Sequence, residues 1–148
     1  MIAVVQRVSS ASVTVECRVT GSINKGLLVL LGVEKGDTEE DLDYIVRKTA
    51  GLRIFEKGGK MDLSVADVGA SILVVSQFTL AGDARKGRRP DFTRAAEAME
   101  AKIMYDKCVR AFRAMGIITE EGEFGAHMTV NSAGDGPVTI LLNSKRIY

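Results

Sequence analysis

Short apolar segments separated by polar and glycine-rich residues run through most of this chain, which is the pattern of a protein rich in β-strands. Residues 12–16 alternate polar and apolar positions, as a strand does when one of its faces lies in the core. Residues 26–33 contain an uninterrupted apolar run between glycines, which is typical of a strand buried on both faces. The other segments predicted as strands are residues 2–8, 18–23, 52–55, 71–78, 124–130 and 138–142.

Two longer segments repeat apolar residues every three to four positions and are predicted as helices. The first begins at Thr38, which has Asp41 three residues later in the pattern of a capping box, and it ends at Gly51. The second covers residues 93–115. Together the elements predict one mixed α/β domain over all 148 residues, with the helices on one face of a curved sheet. The polar residues 143–148 are predicted to be a loose tail.

The composition narrows the possible functions. A length of 148 residues and a hydrophobic fraction of 46% suit one domain with a substantial core. The formal net charge is only +1, so a nucleic-acid site would have to be a local cluster of cations. No apolar run is long enough to cross a bilayer, and the N-terminal residues lack the pattern of a signal peptide. Cys17 and Cys108 lie far apart, which favours reduced thiols and a cytoplasmic location.

Few residues suit the common catalytic constellations. The single histidine, His127, lies in a predicted strand, and a Ser-His-Asp triad would depend wholly on it. Because no potential ligands cluster at metal-binding spacings and nucleotide-binding glycine patterns are missing, no metal or cofactor is expected. Ser76 and Thr79 carry hydroxyls near the end of a predicted strand, without a base in the local sequence. Two interpretations stay open for them, as nucleophiles or as groups that satisfy the backbone at a strand end.

A loop at residues 81–90 concentrates positive charge in Arg85, Lys86, Arg88 and Arg89. Clustered cations of this kind suit contacts to phosphates. Such a cluster is more commonly a solvated surface loop, and this interpretation stays open.

Gly136 and Pro137 directly precede the predicted strand at residues 138–142. Glycine allows its carbonyl to approach a ligand closely, and an X-Pro bond adopts the cis form at a cost of only about 0.5–1 kcal/mol. An ordinary turn before a strand explains the same two residues.

Two short motifs, Ser76-Gln77-Phe78-Thr79-Leu80 and Gly136-Pro137-Val138-Thr139, occur in this order in the chain. Together with residues 1–8, 11–15, 26–33 and 52–55 they resemble the D-aminoacyl-tRNA deacylase family, over about residues 1–142. One departure is Gly134, which stands where the family usually has asparagine before Asp-Gly-Pro. The fold implied by the resemblance is a curved, largely antiparallel, barrel-like sheet in β/β/α layers, with two main helices packed on one face.

The resemblance implies hydrolysis of the ester that joins a D-amino acid to the 3′ end of tRNA, which is chiral proofreading in translation. Glycyl-tRNA would also be hydrolysed, and L-aminoacyl-tRNA would be spared. The family is a homodimer with its active sites at the subunit interface. There each subunit's Gly136-Pro137, as a Gly-cisPro motif supported by Arg7, would enter the partner's site and exclude L-amino acids with rigid backbone carbonyls.

The same resemblance implies that Ser76, Gln77, Phe78 and Thr79 form the catalytic site. Backbone N–H groups near Phe78 and Thr79 would stabilise the oxyanion while the 2′-hydroxyl of the terminal adenosine assists water. Thr79 as the nucleophile stays open, and Gln77 would shape the pocket. The basic loop would contact phosphates of the acceptor stem. Two alternatives remain, a non-catalytic tRNA-binding module of the same fold and an esterase or peptidase built around Ser76 and His127.

Overall fold

Eight strands and two α-helices follow one another in the computed structural model, which describes residues 1–147. In chain order they are β1 (Ile2–Val15), β2 (Arg18–Ile23), β3 (Gly26–Gly32), α1 (Glu39–Gly51), β4 (Phe55–Lys57), β5 (Lys60–Leu63), β6 (Ser71–Ser76), α2 (Ala98–Ala114), β7 (Thr119–Glu121) and β8 (Thr129–Asn143). A 3-10 helix, Phe78–Ala81, directly follows β6.

The long strand β1 organises a six-stranded sheet. On one side its first half pairs with β3 and its second half with β2, while β8 runs antiparallel along the other side from Ile2 to Thr14. The parallel pairs β3–β6 and β6–β7 extend the sheet, and β4 and β5 form a separate hairpin. Register breaks in β1 and its neighbours accompany a curved, barrel-like sheet, which confirms the predicted fold class.

Two apolar cores lie on opposite faces of β3 and β6. Leu27 and Val29 of β3 pack into the core beneath both helices, to which α1 contributes Ile45 and α2 contributes Phe112. The intervening residue Leu28 points into a smaller core, whose other members are Val8, Ala11, Val13, Ile23, Leu73 and Val75. Alternate side chains therefore enter different cores, which confirms that the apolar run at residues 26–33 is a strand buried on both faces.

Helix α1 begins with the predicted capping box. The backbone N–H of Thr38 donates to Asp41 Oδ2 at 2.8 Å, and the Thr38 hydroxyl lies 3.0 Å from the same oxygen. Burial raises the pKa of Asp41, but hydrogen bonds from Lys145, Ser144 and Thr38 outweigh it and hold this pKa well below its usual range. The Asp41 carboxylate thus ties the start of α1 to the C-terminal residues.

Helix α2 is shorter than predicted, because it begins at Ala98 and not at residue 93. Ala95 forms a β-bridge with Glu34, and the N–H of Ala96 donates to the carbonyl of Val33 at 3.0 Å. These contacts with a segment distant in sequence use backbone groups that a helix would need. Local apolar periodicity does not reveal such a competitor.

The C-terminal part of the sheet also differs from prediction. Residues 124–128 lie outside any strand, and β8 runs without interruption from Thr129 through Gly136 and Pro137. Proline is tolerated there because, among residues 1–147, β8 pairs with β1 alone and is an edge strand. The short strand β7 was not predicted, and the strand predicted at residues 52–55 begins only at Phe55.

The prediction of a loose tail at residues 143–148 is wrong for its first residues, and Tyr148 lies outside the described residues. Asn143 is buried, and Ser144 accepts a hydrogen bond from the Met1 ammonium at 2.8 Å. The same ammonium donates to Asp37 at 2.6 Å, and Lys145 pairs with Asp41 at 2.8 Å. Polar contacts therefore hold the residues after β8 against the start of β1 and the start of α1. The sequence pattern does not show these contacts.

The two cysteines differ in accessibility. Cys17 is exposed at the turn between β1 and β2, where its φ of 64° is left-handed. Cys108 is buried in α2, and burial raises the pKa of its thiol to about 12. Only Cys17 is therefore open to reagents in the folded chain.

Candidate active site

A cavity of about 480 Å³ opens where β6 ends and the 3-10 helix begins. Its wall includes Ser76, Gln77 and Phe78, which the sequence predicted as site residues. Tyr105 of α2 and Phe124 from the loop before β8 complete the wall with aromatic rings. The sequence did not reveal these two, because they come from distant elements and residues 124–128 resembled a strand.

The backbone around the predicted catalytic motif is held by β3. The N–H of Gln77 donates to the carbonyl of Leu31 at 2.8 Å, and Leu80 N–H donates to Gln77 at 3.2 Å. The preceding N–H groups, those of Phe78 and Thr79, have no acceptor among residues 1–147. A short helix leaves such donors free at its first turn, where they can bind a negatively charged oxygen.

Thr79 is poorly placed to act as a nucleophile. Its hydroxyl accepts a hydrogen bond from the Gln77 side-chain amide, and it does not line the cavity. An amide N–H cannot take a proton from a hydroxyl, so this contact does not activate it. Phe78 is exposed and packs edge-to-face against Phe92, with ring centroids 5.3 Å apart.

His127 and Ser76 both line the cavity, but no hydrogen bond joins these two side chains. Tyr105 donates to the carbonyl of Val74 at 2.8 Å, and burial, with the nearby charge of Glu121, raises its pKa. The phenol is therefore a neutral, fixed wall of the cavity. A serine–histidine pair of the kind that an esterase requires is not assembled in this structure.

The second predicted motif lies on β8. The Gly136-Pro137 peptide bond is cis, the form that the family resemblance implied, and Gly136 has a φ of 126°. Arg7 donates from Nε to the carbonyl of Asp135 at 3.2 Å and contacts the Asp135 carboxylate at 3.0 Å. Its Nη1 donates to the carbonyl of Ile54 at 2.5 Å. Arg7 thus contacts Asp135, the residue directly before the motif that the resemblance led us to expect it to support.

Gly136 is closely surrounded. A Cβ atom at this position would lie 2.8 Å from Val138 Cγ2 and 3.2 Å from Arg7 Nη2. At Gly134, in contrast, a Cβ atom would meet nothing within 4 Å. There is therefore space for a side chain at Gly134, where this chain departs from the family pattern, but not at Gly136 in the motif itself.

The two motifs do not meet within one chain. Gly136 and Pro137 are exposed on the edge strand and do not line the cavity beside Ser76 and Phe78. The geometry therefore shows a cavity and, apart from it, an exposed segment of β8 next to the Arg7 contacts.

The basic loop follows the 3-10 helix and is closed by a β-bridge between Asp83 and Asp91. Arg85 is paired with Asp83, whose hydrogen bonds raise the pKa of the guanidinium. Lys86, Arg88 and Arg89 are exposed and, within residues 1–147, lie near no carboxylate. Three of the four predicted phosphate-binding side chains are thus uncompensated.

A family model described as D-Tyr-tRNA(Tyr) deacylase matches residues 4–143, which include both motifs. The chain belongs to this family. It is 53% identical to a D-aminoacyl-tRNA deacylase of Thermotoga petrophila over all of both chains. It is 56% identical to a D-aminoacyl-tRNA deacylase of Koribacter versatilis over 98% of each chain.

Two solved structures share the fold of this chain. A structure named c-Myc DNA Unwinding Element Binding Protein superposes with a TM-score of 0.92 at 43% identity, over 97% of this chain and 98% of the other. A probable eukaryotic D-amino acid tRNA deacylase shares the fold, with a TM-score of 0.80 at 18% identity, over 96% and 98% of the chains. Within the described residues, no helix has the length and apolar character to span a membrane, and no acidic, cysteine or histidine side chains are grouped as metal ligands.

Proposed function

We propose that this protein is a D-aminoacyl-tRNA deacylase, which hydrolyses the ester between a D-amino acid and the terminal adenosine of tRNA. The observation that carries the proposal is the pair of free N–H groups on Phe78, which lines the cavity, and on Thr79, the next residue. They occur in a chain more than half identical, over its full length, to enzymes of that name.

The proposed chemistry uses backbone donors and the substrate itself. Water attacks the ester carbonyl carbon, and the resulting oxyanion is stabilised by the N–H groups of Phe78 and Thr79. The 2′-hydroxyl of the adenosine, adjacent to the ester, positions the water and assists departure of the 3′-oxygen. Support for substrate assistance comes from the Thr79 hydroxyl, which has an amide and no base as its partner.

Chiral selection is assigned to Gly136 and Pro137 entering the cavity of a second subunit. Their exposure and their separation from the cavity of their own chain support contact in trans. The clamp from Arg7 makes the segment rigid enough to reject the substituent of an L-amino acid by steric clash. Glycine has no such substituent, so glycyl-tRNA would also be hydrolysed.

The active protein is therefore proposed to be a homodimer in the cytoplasm. The exposed apolar residues near the cavity and on β8 support this, since Phe78 is 58% exposed and Leu141 is 55% exposed. The basic loop, with Lys86, Arg88 and Arg89, is proposed to hold acceptor-stem phosphates beside the cavity.

The deciding experiment incubates the protein with matched D- and L-aminoacyl-tRNA and follows loss of the ester. We expect rapid loss of the D-ester and persistence of the L-ester. A non-catalytic tRNA-binding module would bind both without releasing amino acid. An esterase based on Ser76 and His127 would be labelled by a serine-directed phosphonate, and we expect no such labelling.

A further inference from the structure

A second basic surface lies on the side of the molecule formed by the end of α1, the segment before β4 and the C-terminal residues. It surrounds a concavity of about 570 Å³. The residues of this surface, called here the α1 basic patch, are Tyr44, Arg47, Lys48, Arg53 and Arg146. Neither of the two signature motifs nor the basic loop contributes to it.

Most of the positive charge in the α1 basic patch is uncompensated. Arg53 is paired with Asp62, at 2.5 Å between the nitrogen and the oxygen. Among residues 1–147, no carboxylate lies within 4 Å of the charged groups of Arg47, Lys48 or Arg146. Three cations of the patch therefore have no ion-pair partner among residues 1–147, in a chain whose formal net charge is +1.

Contacts with neighbouring groups also fix the positions of these cations. Lys48 Nζ and Arg146 Cζ lie 5.8 Å and 5.4 Å from the ring centroid of Tyr44. Arg47 donates from Nε to the carbonyl of Asp43, one turn earlier in α1. Lys145, anchored to Asp41, brings the neighbouring Arg146 to the patch. Like charges gathered around a concavity repel one another, and a polyanion seated there would relieve that repulsion.

The patch is connected to the motif on β8. The residue after Arg53 is Ile54, whose carbonyl accepts a hydrogen bond from Arg7, and Arg7 in turn holds Asp135 beside Gly136. Under the proposed function, Gly136 enters the cavity of the partner subunit. The α1 basic patch of one subunit would then lie beside the cavity of the other, where a tRNA bound by its 3′ end extends out of that cavity.

We propose that the α1 basic patch binds backbone phosphates of the tRNA whose 3′ end occupies the partner subunit's cavity. This inference rests on the proposed function for its choice of polyanion. Guanidinium groups suit phosphate oxygens, and contacts of this kind add affinity without reading sequence. The tRNA would thus be held by the basic loop of one subunit and the α1 basic patch of the other.

The test compares Arg47→Gln/Lys48→Gln with Arg110→Gln, which removes an exposed cation from α2 that lies outside the patch. Binding of uncharged tRNA is measured by fluorescence anisotropy at several salt concentrations. Each cation that binds a phosphate contributes about five-fold in affinity near 0.15 M salt and about 0.7–0.9 to the slope of log K against log salt. The variant removes two cations, so it should bind tRNA about 25-fold more weakly and lower that slope by about 1.4–1.8. The Arg110 variant should match wild type.

A second arm separates this proposal from the proposed function. The ratio of kcat/KM for D-aminoacyl-tRNA to kcat/KM for the D-aminoacyl ester of adenosine alone should fall in the patch variant. Unchanged tRNA affinity and an unchanged ratio in an active enzyme would overturn the patch and leave the deacylase intact. Weaker tRNA binding by the patch variant, in a protein whose wild type has no deacylase activity, would support the patch and refute the enzyme. An acidic protein as the true occupant would appear as unchanged tRNA binding, and it would also overturn the proposal.

Discussion

At the scale of single residues, the proposed selectivity depends on how little room surrounds Gly136. Its φ of 126° is left-handed, and Val138 and Arg7 occupy the space that a side chain would need. Arg7 is mostly buried and contacts the backbone on two sides, at Ile54 and at Asp135. A small change at either residue should therefore move the backbone that faces the substrate.

We expect Gly136→Ala to lower kcat/KM for D-aminoacyl-tRNA at least about tenfold and to reduce the D/L ratio, because its methyl group displaces the motif. Arg7→Ala should reduce the D/L ratio more than it reduces turnover of the D-substrate. Gly134→Ala is the matched control, because its methyl group enters open space. If both variants keep the wild-type D/L ratio of kcat/KM, chiral selection lies elsewhere in the pocket.

Thr79→Ala should retain most of the activity, since the hydroxyl has no base as a partner. Replacing the terminal adenosine of the tRNA by 2′-deoxyadenosine should instead lower kcat by about 10² or more, as loss of an acid–base group typically does. Single-turnover rates of ester loss measure both effects. An inactive Thr79→Ala protein with normal folding and tRNA binding would make Thr79 the nucleophile.

At the scale of elements, the predictions that succeeded were those whose causes are local. The apolar run of β3 and the capping box of α1 carry their own signals, and both lie where predicted. The start of α2 failed because Ala95 and Ala96 pair with residues near Glu34, which is about sixty positions away in the chain. Local pattern cannot report a partner at that separation.

The residues of the candidate site also differ in how far the sequence alone could identify them. Ser76, Gln77 and Phe78 were found because they are contiguous and resemble a family motif. Tyr105 and Phe124 were missed because only the folded chain brings α2 and the loop before β8 to the end of β6. A motif can thus be found in sequence, while the rest of its pocket depends on tertiary packing.

The cap of α1 gives a stability prediction. Asp41→Asn should lower the free energy of unfolding by about 1–3 kcal/mol at pH 7, because Lys145 and Thr38 lose a charged acceptor. The folded-state pKa of Asp41 is depressed, so its contribution is present above the unfolded pKa of about 3.9 and is lost as pH falls towards the folded value. The difference in free energy of unfolding between wild type and Asp41→Asn should therefore be smaller at pH 3 than at pH 7.

Urea unfolding at pH 7 and pH 3 measures this difference. Asp43→Asn is the control, because Asp43 lies exposed on the same helix. Equal stabilities of the two variants at pH 7 would refute a role for the Asp41 carboxylate in joining α1 to the C-terminal residues.

The basic loop is tested separately from the α1 basic patch. Arg88→Ala/Arg89→Ala should raise KM for aminoacyl-tRNA and make it less dependent on salt, with little change in kcat, because phosphate contacts mainly position the substrate. Steady-state kinetics at low and moderate salt would show this. A KM equal to that of wild type at both salt concentrations would remove the loop from the tRNA site.

At the scale of the whole molecule, the proposed function makes a single subunit incomplete, because its two motifs lie apart. We expect a homodimer by light scattering at micromolar concentration, and a fully active monomer would contradict this. Mixed dimers test contact in trans directly. A Gly136→Ala subunit paired with an Ala101→Trp subunit, whose cavity is filled, should have one intact site.

Random mixing of those two variants should restore about a quarter of wild-type activity, because half of the dimers are mixed and each has one working site of two. If the motif serves the cavity of its own chain, mixing should restore nothing. Unmixed preparations of each variant provide the baseline.

The turn between β1 and β2 provides a site for chemical labelling in the unmodified chain. Cys17 is exposed at that turn while the Cys108 thiol is buried. A maleimide fluorophore or nitroxide spin label should therefore react with the unmodified protein at one position per chain. In a symmetric dimer each subunit would carry one label. The distance between the two labels, measured before and after tRNA binds, would report how the subunits are arranged.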